Sequence, residues 1–220
     1  SHAIGGYYKN LPVGSCKYSD ICVFSFQAIK HLTTGDGGII TLPNKKLYDR
    51  CKLLRWFGKD RDKRKFKNND NRLEHDIKEF GYKFHMNNIN ASIGINNLPH
   101  IENILKTNRK NAKYFDENLK NIKGIKLLQQ NNKCKSAYWL YSIWVEKKED
   151  FLSFMKEKNI MCSQVHQRND VHSCLKEYKE ELPNIDIIEK HLLCIPVGWW
   201  ITKKDREYIV KCIKEFYKAK

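Results

Sequence analysis

The chain has 220 residues, 41 Lys+Arg against 25 Asp+Glu, a formal net charge of +16 and 41% hydrophobic residues. That length suits one good-sized domain or two small ones with a real apolar core. No run of about 18 apolar residues exists, which excludes a membrane-spanning helix. No charged-then-apolar leader opens the chain.

Eight cysteines stand at 16, 22, 51, 134, 162, 174, 194 and 212, none in a CxxC pair and several in apolar runs such as "ICVFSF" and "LLCIPV". This predicts reduced core cysteines in a cytoplasmic protein, not a disulfide framework. The positive charge admits nucleic acid or anionic small molecules as partners. Much of it lies in "KDRDKRKFKNNDNR" (59–72), an aperiodic stretch predicted to be a loop. Aromatic residues do not alternate with basic ones along any stretch, so nucleic acid is not the expected partner.

In chain order, "ICVFSF" (21–26) and "GGIITL" (37–42) read as short buried strands. "NKKLYDRCKLLRWF" follows as a helix with Leu47, Cys51 and Leu54 on one face. From Asn87 to about Lys120 the pattern is helical, with Ile101, Leu105, Asn108, Ala112, Phe115 and Leu119 at three- and four-residue steps. Pro99 predicts a break near its start, and Gly124 its end. "AYWLYSIWV" (137–145) reads as a strand and "KEDFLSFMKEK" as a helix stopped at Asn159. "IMCSQV" (160–165) reads as another strand. Thr202 with Asp205 resembles a cap for a last helix with Ile209, Ile213 and Phe216 on one face. The expected organisation is an α/β unit over 1–95, a connecting helix over 96–120 and a small α+β unit over 121–220.

The chemistry centres on "SFQAIKHLTTGDGG", Ser25 to Gly38. Lys30 follows a buried strand, where desolvation favours the neutral amine that attacks carbonyls and forms Schiff bases. Ser25 offers a hydroxyl, and Thr33, Thr34 and the glycines at 35, 37 and 38 allow backbone to approach a phosphate. A plain surface lysine in a turn is the alternative. His166, His172 and Cys174, or His191 with Cys194, match no strong zinc spacing, so no metal is expected.

The same segment resembles the cofactor-lysine motif of the DegT/DnrJ/EryC1/StrS family of pyridoxal-phosphate sugar aminotransferases. "SHAIGGYYKNLPVGSCKYSDICVFSF", "GYKFHMNNINASIGI", "VHQRNDVH" and "IPVGWWITKKDREYI" resemble further family motifs, in family order and over nearly the whole chain. The resemblance implies the C-terminal part of an aspartate-aminotransferase-like (fold type I) α/β enzyme: the end of the large-domain sheet, a long helix and a small α+β domain. It implies pyridoxal 5'-phosphate as cofactor, a nucleotide-linked keto-sugar as substrate, glutamate as amino donor and a homodimer. Lys30 would carry the cofactor, Ser25 would bond its phosphate, and His2 would lie near the pyridine O3′. Lys83 stands where many members carry an Asn that reaches the phosphate of the partner subunit's cofactor. His85 stands where Arg or Asn is common, and is placed with His166 and Arg168 among the substrate-binding candidates. Arg168 has a competing expectation, a surface pair with Asp170 or Glu177.

The family's first half would precede Ser1. It carries a phosphate-binding turn, an aromatic that stacks on the pyridine and an Asp for the ring nitrogen. The expectation is a C-terminal fragment of such an enzyme. The alternatives are a non-catalytic truncated homologue that assembles with a complete subunit, and a basic nucleic-acid-binding module.

Overall fold

The computed structural model describes residues 2–63 and 76–218; residues 64–72 of the expected basic loop therefore lie outside the described residues. The chain divides into two compact units, Ser1–Ile101 and Glu102–Lys220.

In the first unit a tight hairpin, β1 (Tyr7–Tyr8) and β2 (Leu11–Pro12), precedes an antiparallel pair, β3 (Cys22–Ser25) and β4 (Gly38–Thr41). Both longer strands lie where β-branched and aromatic content placed them, but they are not buried as expected: of β3 only Phe24 is buried, and Ile39 and Ile40 of β4 are exposed. Their register pairs Cys22 with Thr41 and Ser25 with Gly38, so residues 26–37 form the connecting loop. Gly38 packs against the opposite strand, and a Cβ there would lie 2.6 Å from the Phe24 carbonyl oxygen. Phe24, Phe26 and Leu32 make a small core, with Ile4, Val13, Cys22, Met86 and Ile101 around it. Helix α1 (Lys45–Leu54) starts at Asn44, whose side chain accepts from the Lys46 and Leu47 amides. Helix α2 (Asn88–Asn97) is capped in the same way by Asn87, which accepts from the Asn90 amide.

The long helical pattern is indeed interrupted at the proline. A single 3₁₀ turn, Leu98–His100, separates α2 from α3 (Ile101–Leu119). Pro99 has no amide to donate, so α2 cannot run through it. The three- and four-residue steps of α3 bury Leu105, Asn108, Ala112, Phe115 and Leu119, together with Asn111. Apart from its first residue, α3 belongs to the second unit and supplies that unit's core.

In the second unit β5 (Ile125–Leu127), β7 (Tyr141–Val145) and β8 (Leu192–Ile195) form an antiparallel sheet in the order β5-β7-β8; a two-residue strand, β6 (Cys134–Lys135), falls between the first two in sequence. Ile143 and Val145 on β7, with Leu193 and Ile195 on β8, point into a core closed by Phe151 and Met155 of α4 (Lys148–Glu157). Ile209, Ile213 and Phe216 of α6 (Lys203–Lys218) complete that core. Helix α5 (Pro183–His191) leads directly into β8. The capping pair forms as expected: the Thr202 amide donates to Asp205 Oδ2 at 2.8 Å, and the Asp205 amide donates to Thr202 Oγ1 at 3.2 Å.

Three expectations change. The strand expected from Ala137 begins only at Tyr141, because Tyr138 turns the chain at φ 50°. The expected strand over 160–165 reduces to one bridge, in which the amides of Ser163 and Cys194 donate to each other's carbonyls at 3.2 and 2.7 Å. Val165 then adopts φ 61°, which a β-branched residue takes only under constraint, and the extension ends. The α3 helix stops at Leu119, and Gly124, at φ 91°, turns the chain into β5 instead of ending the helix.

Candidate active site

The 26–37 loop is organised from within. The Phe26 amide donates to Gly37 O at 2.8 Å, and the Thr34 amide donates to Phe26 O at 2.9 Å. Thr33 Oγ1 accepts from the Gly35 amide at 2.9 Å, and Thr34 Oγ1 donates to Asp36 O at 2.7 Å. Gly35 at φ 80° and Gly37 at φ 143° take backbone angles that side chains resist.

Helix α2 braces the loop from outside. Asn90 Nδ2 donates to Asp36 O at 2.6 Å, and Asn97 Nδ2 donates to Thr33 O at 3.0 Å. A Cβ at Gly94 would stand 2.7 Å from the Thr34 methyl, so the helix and loop lie in direct contact there. These polar brackets escaped the sequence reading; an asparagine-rich helix with a lone glycine was their signal.

Lys30 sits in the first turn of this loop, its amide donating to Gln27 O at 2.9 Å. The side chain is half-buried, and that burial lowers the amine below its ordinary value. Ser25 ends β3, and its hydroxyl accepts from the Gln27 amide at 3.3 Å. His2 is half-buried in the same unit. An amine short of full solvation, next to a hydroxyl- and glycine-rich turn, is what a carbonyl cofactor bearing a phosphate requires.

Lys83 and His85 are placed by a backbone crossing. The Tyr82 amide donates to Leu54 O at 2.6 Å, the Phe57 amide to Tyr82 O at 3.0 Å and the Phe84 amide to Arg55 O at 2.9 Å. The two segments touch at Gly58 and Gly81. A Cβ on Gly81 would lie 2.6 Å from the Phe57 carbonyl carbon and 2.9 Å from Leu54 O. Gly81→Ala should therefore part the strands and change the fluorescence of Trp56; an unaltered spectrum would mean that the crossing tolerates a methyl group.

The crossing turns alternate side chains to opposite sides. Tyr82 and Phe84 stack on each other at 4.9 Å and are exposed. Lys83 lies over the Trp56 ring at 4.7 Å, and His85 meets the same ring edge-on at 4.0 Å. Desolvation lowers the His85 pKa, and the charges of Lys83, Arg61 and Arg55 lower it further.

His166 and Arg168 belong to the second unit. His166 is exposed, and its ring faces Trp139 at 6.1 Å. Arg168 is committed to carboxylates. Its Nε donates to Asp170 Oδ1 at 2.8 Å and its Nη2 to Asp170 Oδ2 at 2.5 Å, while Nη1 donates to Asp186 and, at 3.5 Å, to Glu189. The Asp170 pair is the competing expectation, extended here to α5. The guanidinium holds the Asp170 carboxyl below its usual range. Nearby, Lys148 Nζ donates to Gln164 Oε1 at 2.6 Å and to Glu189 O at 2.5 Å. Among the described residues no group of three or more His, Cys, Asp or Glu could hold a metal, and no helix is long and apolar enough to cross a membrane.

Residues 1–214 match the DegT/DnrJ/EryC1/StrS aminotransferase family. The UDP-4-amino-4,6-dideoxy-N-acetyl-beta-L-altrosamine transaminase of Campylobacter jejuni is 29% identical over 218 residues, covering 95% of this chain and 55% of that protein. GDP-perosamine synthase of Escherichia coli is 27% identical, covering 100% of this chain and 57% of that protein. The crystal structure of a sugar aminotransferase from Micromonospora echinospora superposes with a TM-score of 0.89 at 36% identity, over 96% of this chain and 55% of that one. The chain thus spans about half the length of the relatives it matches, as the C-terminal part of a fold type I architecture. On the match over residues 1–214, the chain belongs to the DegT/DnrJ/EryC1/StrS aminotransferase family.

Proposed function

We propose that the full-length protein is an aminotransferase that uses pyridoxal 5'-phosphate to convert a nucleotide-linked keto-sugar to an amino-sugar, with glutamate as amino donor. The observation that carries this reading is Lys30, a partly desolvated amine at the β3–β4 loop of a chain that matches the family over residues 1–214. Relatives named as a UDP-sugar transaminase and a GDP-perosamine synthase support a nucleotide-linked substrate.

Pyridoxal 5'-phosphate, when bound, supplies the conjugated ring that accepts the electron pair left by a departing α-proton. Lys30 Nζ would anchor the cofactor, Ser25 would donate to its phosphate, His2 would serve its ring, and Lys83 of the partner subunit would add a cation to the phosphate. Burial raises the neutral fraction of Lys30 at any given pH, and the neutral amine is the form that can take the α-proton of the amino donor at Nζ. The proposed assembly is a homodimer; the exposed, stacked Tyr82 and Phe84, which flank Lys83 in sequence, give it an apolar contact. Borohydride treatment of the full-length protein with its cofactor should label Lys30, found by peptide mapping. A label on another lysine would remove the assignment.

His85 and His166 remain the proposed substrate contacts. Arg168 is better proposed as the brace that fixes the His166 segment to α5, since a diphosphate would have to displace a carboxylate from it. Arg168→Ala should then slow the two half-reactions to a similar extent. It should also remove stability that is present above the ordinary carboxylate pKa of about 3.9 and lost as pH falls through the lower folded-state value of Asp170. Slowing confined to the sugar-nucleotide half-reaction, by about tenfold, would show a nucleotide contact instead.

A further inference from the structure

The end of α1 and the segment after it form a cleft of about 380 Å³ with Trp56 in its wall, and Arg55, Lys59, Arg61 and His85 around it. Two carboxylates share the lining, Asp60 and Asp62. Asp62 pairs with Lys52, and Asp60 pairs with Lys63 at 3.4 Å. The cleft's cations outnumber its carboxylates. Arg61 lies over the Trp56 ring at 4.9 Å, as Lys83 does at 4.7 Å, so the indole gathers two cations at the cleft wall.

His85 occupies an unusual place in this set. Lys83 Nζ lies 3.4 Å from both ring nitrogens, only one of which can accept from it in the neutral ring. The groups facing the imidazole are the Trp56 indole, nearly perpendicular to it, and the cations of Lys83, Arg61 and Arg55. A proton on His85 would add one more positive charge to that group. An arriving anion reverses the balance, because it offsets the surrounding charge and can accept a bond from the protonated ring.

We propose that the cleft beside Trp56 binds phosphate oxygens and that the bound anion drives protonation of His85, so that binding takes up a proton. The inference deepens the reading of Lys83 and His85 given above, and rests on it only for where the anion comes from: the cofactor's phosphate monoester or the substrate's diphosphate. Linkage makes the effect reciprocal. If the anion raises the His85 pKa by about one unit, the protonated protein binds it about tenfold more tightly than the neutral one.

The test follows the His85 ring protons by NMR in the full-length protein, titrated in pH with and without inorganic pyrophosphate, with methyl phosphate as the second arm. The expected result is a His85 pKa that starts below the ordinary histidine value and rises about one unit at saturation. A rise with pyrophosphate alone assigns the cleft to a diphosphate; a rise with both ligands includes the monoester. His85→Gln should bind at every pH about as weakly as the wild type does with a neutral ring, showing only the ligand's own titration, and Arg61→Ala should weaken binding at every pH. Saturable binding with an unmoved His85 resonance, or no saturable binding, would overturn the proposal, and the wild-type titration gives that answer without any variant. If Lys30 is labelled while His85 stays unmoved, only this inference fails. If His85 moves while another lysine is labelled, only the aminotransferase reading fails.

Discussion

Lys30→Ala in the full-length protein should lower both half-reactions by at least about 10³-fold, since general acid–base catalysis alone is worth about 10²–10⁴. Compared without cofactor, the same variant should leave the melting temperature within about 2 °C. The two expectations share one cause. Burial lowers the Lys30 pKa in the folded chain. The unfolded chain then holds its proton more strongly as pH falls through the ordinary lysine value of about 10.4, so the charged amine opposes folding slightly at neutral pH. Removing it costs little stability and removes both the proposed cofactor anchor and the proposed base. Loss of activity together with a collapsed melting transition would make Lys30 a structural residue. Retained activity would remove it from the mechanism.

The parts of the fold that sequence showed are those in which local chemistry decides. Strands β3 and β4 followed from β-branched and aromatic residues. The break between α2 and α3 followed from Pro99, and the start of α6 from the Thr202–Asp205 pair. The α5–β8 step was missed because "LLCIPV" is a short apolar run without a period. The ends of the expected strands at 137 and 160 were missed because Tyr138 and Val165 take positive φ, which their residue types do not signal.

The candidate site divides along the same line. Lys30 and Ser25 lie five residues apart around one turn, and their relation could be read locally. Trp56 and His85 meet only because two backbones cross at Gly58 and Gly81, and Arg168 meets Asp186 only through the placement of α5. Such long-range pairs follow from packing, and the glycine pair was the one trace of it in the sequence.

Asn111→Ala should destabilise the second unit by about 3 kcal/mol, because one buried amide ties four groups together. Asn111 lies on the face of α3 that fills the core, where an apolar residue would be the ordinary choice. Its Nδ2 donates to the carbonyls of Val197 and Gly198 at 3.2 Å and of Ile201 at 3.1 Å, pinning the turn between β8 and α6. Its Oδ1 accepts from Arg206 Nη1 at 3.0 Å, and Arg206 is itself buried, 5.0 Å from the Tyr114 ring centre. Alanine would leave the turn carbonyls short of a donor and a buried guanidinium short of an acceptor, and the second loss weighs more because the group is charged. The measurement is the urea midpoint followed by tryptophan fluorescence, to which Trp139, Trp144, Trp199 and Trp200 all contribute from the second unit. The slope should stay unchanged while the midpoint falls. The double variant Asn111→Leu with Arg206→Met separates the two losses. Removing both partners spares the uncompensated charge, so it should cost at least about 1 kcal/mol less than the sum of the single changes. Additive costs would show that Asn111 acts through the turn alone, and a loss below about 0.5 kcal/mol for Asn111→Ala would show that the network does not hold this unit together.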